Sequence, residues 1–314
     1  MEKKILVTGG AGFIGSHLVD RLLRAQAKVT VYDNLATGNK DFLKEHFSDE
    51  NFRFIEGDLL DLNKLKEVMR AQNSVFHLAA NSDVKKGTDK TNLDLEQNII
   101  ATHNVLEAMR LNKVKKILFP STCTVYGENI PFPIPEGYAP LLPISLYGAS
   151  KLACEALICA YCHSFDFQAW IVRLANIVGS RATHGIVLDF INKLNRNKKE
   201  LEILGDGKQR KSYMLVEDCI DAMLFLLESS KDKVNIFNLA TEDTVEVNKI
   251  AEIVVEEMHL KEVSFRYTGS ERGWRGDIPK IQLSIEKLKK LGWKPRYNSE
   301  ESIRLAVRAL LKEN

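Results

Sequence analysis

The sequence of 314 residues has no apolar run near the roughly 18 residues that a membrane-spanning helix requires. Its start, Met1-Glu2-Lys3-Lys4, leads into only a short apolar stretch, Ile5-Leu6-Val7, before glycines interrupt it. That is too little for a secretory signal, which needs about 7–15 apolar residues and a small-residue cleavage site. Cysteine is scarce: 5, at positions 123, 154, 159, 162 and 219. So few thiols in so long a chain form no disulfide framework. Cys159 and Cys162 make a C-x-x-C inside a helical pattern, with no second pair, so structural thiols and no metal site are expected. A reducing cytoplasm is the expected compartment.

Charge of one sign is also missing. Lys plus Arg number 44 and Asp plus Glu 42, a formal net charge of +2. That balance gives no support to nucleic-acid binding, which shows a basic patch or stripe. Proline is sparse as well, and five of the 8 fall within residues 131–143, which therefore read as a loop. Repeats and low-complexity linkers are absent. Against these absences, 45% of residues are apolar, enough to build a core and exclude disorder.

Short apolar runs alternate with amphipathic stretches through the first half. Residues 5–8, 29–32, 52–55, 75–78, 116–119 and 170–174 read as strands. Residues 13–25, 62–71, 93–111 and 148–165 read as helices between them. This alternation predicts an α/β fold, a Rossmann-type doubly wound parallel sheet with helices on both faces. After about residue 175 shorter strands mix with helices at 184–197, 216–228, 247–258, 284–291 and 300–311. Two interleaved parts are expected. Residues 1–175 form the nucleotide-binding part, also receiving segments near 210–240; residues 176–314 form a smaller α/β substrate-binding part, with the active site between the two.

The first strand runs into Gly9-Gly10-Ala11-Gly12-Phe13-Ile14-Gly15. The first glycine of this G-x-x-G-x-x-G spacing allows a tight turn, the second a close phosphate, the third close helix packing. Because the glycines follow a strand and open a helix, they predict a dinucleotide pyrophosphate at the helix N-terminus. Asp33, ending the second strand roughly 20 residues on, is placed to accept from an adenosine ribose. A carboxylate there repels a 2′-phosphate, which favours NAD over NADP. Asp58, in Gly57-Asp58-Leu59, either meets the adenine amino group or caps the next helix.

Tyr147-Gly148-Ala149-Ser150-Lys151 is a Y-x-x-x-K, and that spacing puts Tyr147 and Lys151 on one helix face. Upstream, a strand ends in Ser121-Thr122-Cys123-Thr124-Val125-Tyr126-Gly127. With the glycine loop and His77-Leu78-Ala79-Ala80, these motifs resemble the extended short-chain dehydrogenase/reductase family over essentially the whole chain. Within it the chain is similar to NAD-dependent nucleotide-sugar epimerases of the UDP-glucose 4-epimerase type. The resemblance implies Tyr147 as general base, Lys151 tuning it and binding the nicotinamide ribose, and Thr122 bonding the reacting oxygen. It implies NAD as cofactor, held by Gly9, Gly12, Phe13, Ile14, Gly15, Asp33, Asn34, Asp58, Leu59, Leu78, Ala79, Ala80, Asn98, Tyr147 and Lys151.

A tyrosine with pKa near 10 is a poor base at neutral pH. A nearby ammonium and a nicotinamide cation favour phenolate. Sugar dehydratases of the family carry an Asp-Glu pair after the threonine, and Cys123-Thr124 stands there instead, which disfavours water elimination.

For the substrate, a nucleotide-diphospho-sugar, the resemblance points to Asn176 in Arg173-Leu174-Ala175-Asn176 and to Arg275. It also points to Arg210 or Lys211, whose register departs from the family's Arg-Asp-Tyr. Arg grips phosphate bidentately and Lys acts as a point charge, so the choice between the two stays open. The helices at 93–111 and 148–165 usually form a four-helix bundle in this family, which implies a homodimer. A nucleotide-sugar ketoreductase, a 2-epimerase and a non-catalytic NAD-binding regulator remain alternatives at this stage.

Overall fold

The computed structural model describes residues 3–274 and 276–313. Contacts divide the chain into two compact units. One comprises Met1–Val125, Ser145–Arg173 and Met223–Phe237, the other Tyr126–Ile144, Leu174–Ala222 and Asn238–Asn314.

The first unit begins β1 (Lys4–Thr8), α1 (Phe13–Arg24), β2 (Lys28–Asp33), β3 (Phe52–Glu56), α2 (Leu62–Val68) and β4 (Ser74–His77). Short helices α3 (Val84–Asp89) and α4 (Thr91–Asp94) follow, then a π-helical stretch, Leu95–Ile100. α5 (Ala101–Leu111), β5 (Lys116–Thr122), α6 (Leu146–Phe165) and β6 (Gln168–Leu174) complete its main run. β7 (Asn176–Val178), α7 (Ile186–Arg196), β8 (Glu200–Ile203), β9 (Arg210–Lys211) and β10 (Tyr213–Leu215) lie in the second unit. α8 (Val216–Ser229) and β11 (Val234–Leu239) pass through the boundary between the units. The chain ends with β12 (Val245–Glu246), α9 (Val247–Glu257), β13 (Ser264–Tyr267), β14 (Lys280–Ile281), α10 (Glu286–Lys290) and α11 (Ser299–Glu313).

The central sheet has seven strands in the order β11-β6-β5-β4-β1-β2-β3, parallel at each pairing from β3 to β5. β1 and β5 are buried almost end to end, as strands covered by helices on both faces must be. The order reverses between β1 and β4, and in such sheets the crevice beyond the carboxyl ends at that switch is the ligand position. The Rossmann-type architecture is as the alternation predicts.

One helix and three short strands differ from the pattern reading. Residues 93–111 do not form one α-helix, because a π-helical stretch interrupts them at Leu95–Ile100. Strands β9, β12 and β14, of two residues each, are held by pairing between distant segments, which no local periodicity encodes. In the second unit α7, α9 and α11 pack their apolar faces around Leu194, Ile250, Val254, Ile303 and Val307.

Candidate active site

The loop after β1 shows why its glycines are needed. Gly9 has φ +69°, and a Cβ on it would lie 2.5 Å from the backbone nitrogen of Ala79, just beyond β4. The two loops of the switch point therefore touch backbone to backbone. A Cβ on Gly15 would overlap the Gly9 carbonyl oxygen, so α1 can close on the loop only with glycine there. Gly12 is the N-cap of α1 and has no side chain to cap it, and the first turn carries no acidic residue. The leading N–H groups, around Phe13 and Ile14, thus face outward with the positive end of the helix dipole. Such a cradle fits a pyrophosphate.

Asp33 stands beside it, 8% exposed. One carboxylate oxygen accepts from the Ala11 N–H at 2.9 Å and the other from the Leu35 N–H at 2.8 Å. A carboxylate has about four lone-pair sites, so two remain for a vicinal diol such as a ribose. Burial pushes the Asp33 carboxyl above its usual range, and the two backbone N–H groups oppose that shift. Asn34 donates to Asp58 Oδ2 at 3.0 Å, and Asp58 Oδ1 accepts from the Leu60 N–H at 2.9 Å. Asp58 therefore braces its own turn, but the cap of α2 is Asp61, which accepts from the Lys64 N–H. Leu59 is buried, while Leu78, Ala79 and Ala80 are half-buried. These residues fit NAD.

Ser145 begins α6 by accepting from the Gly148 N–H at 3.1 Å, which sets Tyr147 in the first turn and Lys151 one turn later. Thr122, at the carboxyl end of β5, stands beside the Tyr147 phenol and acts on it to favour the ionised form. Thr122 Oγ1 also lies 3.2 Å from Thr124 Oγ1. The Thr122, Tyr147 and Lys151 of the motif reading are thus brought together within one unit. Burial, with the Cys123 thiol next, raises the Tyr147 phenol well above its ordinary pKa; Thr122 opposes this. Lys151 is buried, and desolvation brings its ammonium down to about 8. His77 is fully buried between Thr8 Oγ1 (2.7 Å) and Thr102 Oγ1 (3.0 Å). Burial lowers it to about 3, so it is neutral and bridges β1, β4 and α5.

Asn98 is 1% exposed, with its amide committed inside the protein. Its Oδ1 accepts from the Asn81 N–H at 2.7 Å, and its Nδ2 donates to Ser150 Oγ at 2.8 Å. Arg173 is likewise committed, making a buried two-pronged ion pair with Glu155. Motif reasoning missed Asn81, Asp94 and Ser150; their contacts span segments far apart in sequence.

In the second unit Asn176 donates to the Ser212 carbonyl at 3.1 Å. Arg210 is exposed, its Nε 4.0 Å from Glu246. Lys211 is instead tied to the buried Asp277 at 2.6 Å, its ammonium 5.4 Å from the Trp274 ring centroid. Arg275 lies outside the described residues. The five cysteines are free, and no metal-holding cluster of His, Cys, Asp or Glu occurs among the described residues. Nor, among them, is any helix long and apolar enough to cross a membrane.

Residues 5–240 match the NAD dependent epimerase/dehydratase family. The chain belongs to that family. It is an enzyme fold whose cofactor is NAD. A solved UDP-galactose 4-epimerase is 38% identical, with 98% of this chain and 99% of that one covered and a TM-score of 0.88. A Thermotoga maritima UDP-glucose 4-epimerase solved with UDP-glucose is 33% identical, with 98% and 99% covered and a TM-score of 0.89. A UDP-N-acetyl-alpha-D-glucosaminuronate decarboxylase from Bacillus cytotoxicus is 34% identical over 82% of this chain and 81% of its own. The family's members thus share a scaffold but not one reaction.

Proposed function

We propose that the chain inverts C4 of a UDP-linked sugar through a transient 4-keto form. The observation that carries this reading is Thr122 beside Tyr147, with a thiol and a hydroxyl, Cys123 and Thr124, as the next side chains. Oxidation at a carbinol needs one base and one oriented oxygen. Elimination of water needs a further acid–base pair, and positions 123 and 124 offer no carboxylate.

NAD, when bound, supplies the capacity to accept a hydride from C4 and return it. Tyr147 takes the C4 hydroxyl proton and later gives it back. Thr122 Oγ1 bonds the same oxygen and holds it against the phenol. Lys151, one turn along α6, brings a positive charge that favours phenolate, against the burial that opposes it. General acid–base participation of this kind is worth about 10²–10⁴-fold. Turning of the keto sugar about its diphosphate link presents its other face, and the product differs from the substrate only at C4.

Asn176, Arg210, Lys211 and Arg275 are assigned to the diphosphate side. Of the two neighbouring cations, Arg210 is the one exposed to reach a phosphate, while Lys211 is held by Asp277. The chain is further assigned as a homodimer through α5 and α6. Exposed Leu111 and Phe165 on these helices, and Leu95 and Ile100 on the π-helical stretch, support that assignment.

Incubation with UDP-glucose, UDP-glucuronate and their N-acetyl analogues, without added cofactor, tests the reading by NMR. Inversion at C4 is expected. Loss of carbon dioxide or water, or a requirement for external reduced cofactor, would assign another reaction of the family.

A further inference from the structure

Asp94 ends α4 and enters the π-helical stretch, and it is 2% exposed. Its Oδ1 accepts from Asn81 Nδ2 at 2.7 Å and from Asn98 Nδ2 at 3.2 Å. Its Oδ2 is buried with no hydrogen-bond partner. A Cβ at Gly87 would overlap that same oxygen, so α3 closes over the carboxylate only because residue 87 is glycine. A buried acceptor left without a donor is costly, and it persists where the surrounding structure over-determines it.

From Asp94 the hydrogen bonds run towards the catalytic helix. Asn98 Nδ2 donates to Ser150 Oγ at 2.8 Å, and Ser150 Oγ donates to the Tyr147 carbonyl at 2.8 Å. The Cys154 thiol donates to the Asn98 carbonyl at 3.4 Å. Asn98 lies within the π-helical stretch, an irregularity frequent at functional sites. The carboxylate is thus the fixed end of a chain of bonds that reaches the first turn of α6 at the proposed base.

We propose that Asp94 is a positioning residue for Tyr147, clamping Asn81 and Asn98 and, through Ser150, setting the seat and the local electric field of the phenol. This rests on the assignment of Tyr147 as base. The titratable groups facing Tyr147 are Cys123, Asp94 and Cys154, with the buried Lys151 ammonium one turn along its own helix; Asp94 is in turn faced by Asp83. Lys85 and Lys86 on α3 are exposed to water. The Asp94 charge holds the Tyr147 phenol up, adding to burial and the Cys123 thiol. A fixed negative charge of this kind restrains phenolate formation until positive charge is present beside the ring.

Asp94→Asn keeps the side-chain shape and removes the charge. In the NAD-loaded enzyme, Tyr147 ionisation can be read by ultraviolet difference absorbance, each background compared with its Tyr147→Phe partner. The ionisation should move to lower pH by roughly half a unit or more. The limb of kcat against pH should move the same way, with KM within about twofold of the parent. Gly87→Ala keeps the charge but pushes on its oxygen, and should lower kcat about tenfold. An unshifted ionisation in a folded, NAD-loaded Asp94→Asn enzyme overturns the proposal. If that variant does not fold, Gly87→Ala decides: an unchanged kcat there removes the clamp. The absorbance titration uses no sugar, so it judges Asp94 even where no sugar is inverted, an outcome that counts against the assigned reaction instead.

Discussion

The Lys151 ammonium lies 4.0 Å from the centroid of the Phe119 ring, so the positive group of the Y-x-x-x-K motif rests on an aromatic face inside the protein. Contact with a ring contributes about 0.5–2 kcal/mol. Desolvation costs more, since it brings this lysine from 10.5 to about 8, equivalent to about 3 kcal/mol. The site thus holds its cation at a net expense to stability.

Lys151→Met should therefore stabilise the cofactor-free protein by about 1–3 kcal/mol near neutral pH while abolishing turnover. The sign of the pH effect follows from a folded pKa below the unfolded one. Between about 8 and 10.5 the unfolded state binds more protons than the folded state, so the native protein gains stability as pH rises. The advantage of the variant should be full below about pH 8 and vanish towards 10.5. Urea unfolding of both proteins across that window checks it; an advantage that grows with pH would contradict the burial account.

Tyr147→Phe removes the proposed proton carrier while leaving the helix start, which depends on Ser145 and backbone groups. kcat should fall at least about 10²-fold with NAD still bound. The rate of C4 inversion and the NAD content of the purified protein are the two measurements. Activity near that of the parent would remove Tyr147 from the mechanism.

Asp33→Ala deletes two acceptors at once, those of the Ala11 and Leu35 N–H groups. The loop should lose about 1–3 kcal/mol of stability, and NAD affinity should drop roughly tenfold or more. Calorimetric titration with NAD, alongside thermal unfolding, separates the two effects. Unchanged affinity would show that the carboxylate serves the loop alone.

Lys211→Ala strands the buried Asp277 without its cation. Removing one partner of such a pair costs about 3–5 kcal/mol. Arg210→Ala, at an exposed residue 4.0 Å from Glu246, should cost less than about 1 kcal/mol but raise KM for the UDP-sugar. Thermal unfolding and steady-state kinetics on both variants check this contrast. A stable Lys211→Ala protein with raised KM would reverse the assignment of the two cations.

The sequence by itself determined whatever depends on neighbours along the chain. Strand, glycine loop and helix at 4–24 follow from local pattern, because a turn that tight admits few residues and the apolar spacing has one period. Tyr147 and Lys151 share a helix face by spacing alone. Only the tertiary structure decided what each charged or amide side chain answers to. Lys211 and Asp277 are 66 positions apart, and nothing around either one specifies the other. Asn98 is inside a π-helical stretch with its amide tied to Asn81 and Ser150, 17 and 52 positions away, and this bracing of the catalytic helix is nowhere written in its local sequence. Asp94 had no motif to announce it, since its place depends on α3, α4 and the π-helical stretch closing together around a glycine. Backbone preference is a local energy and can be read from the chain; the pairing of buried polar groups is set by the path of the whole fold.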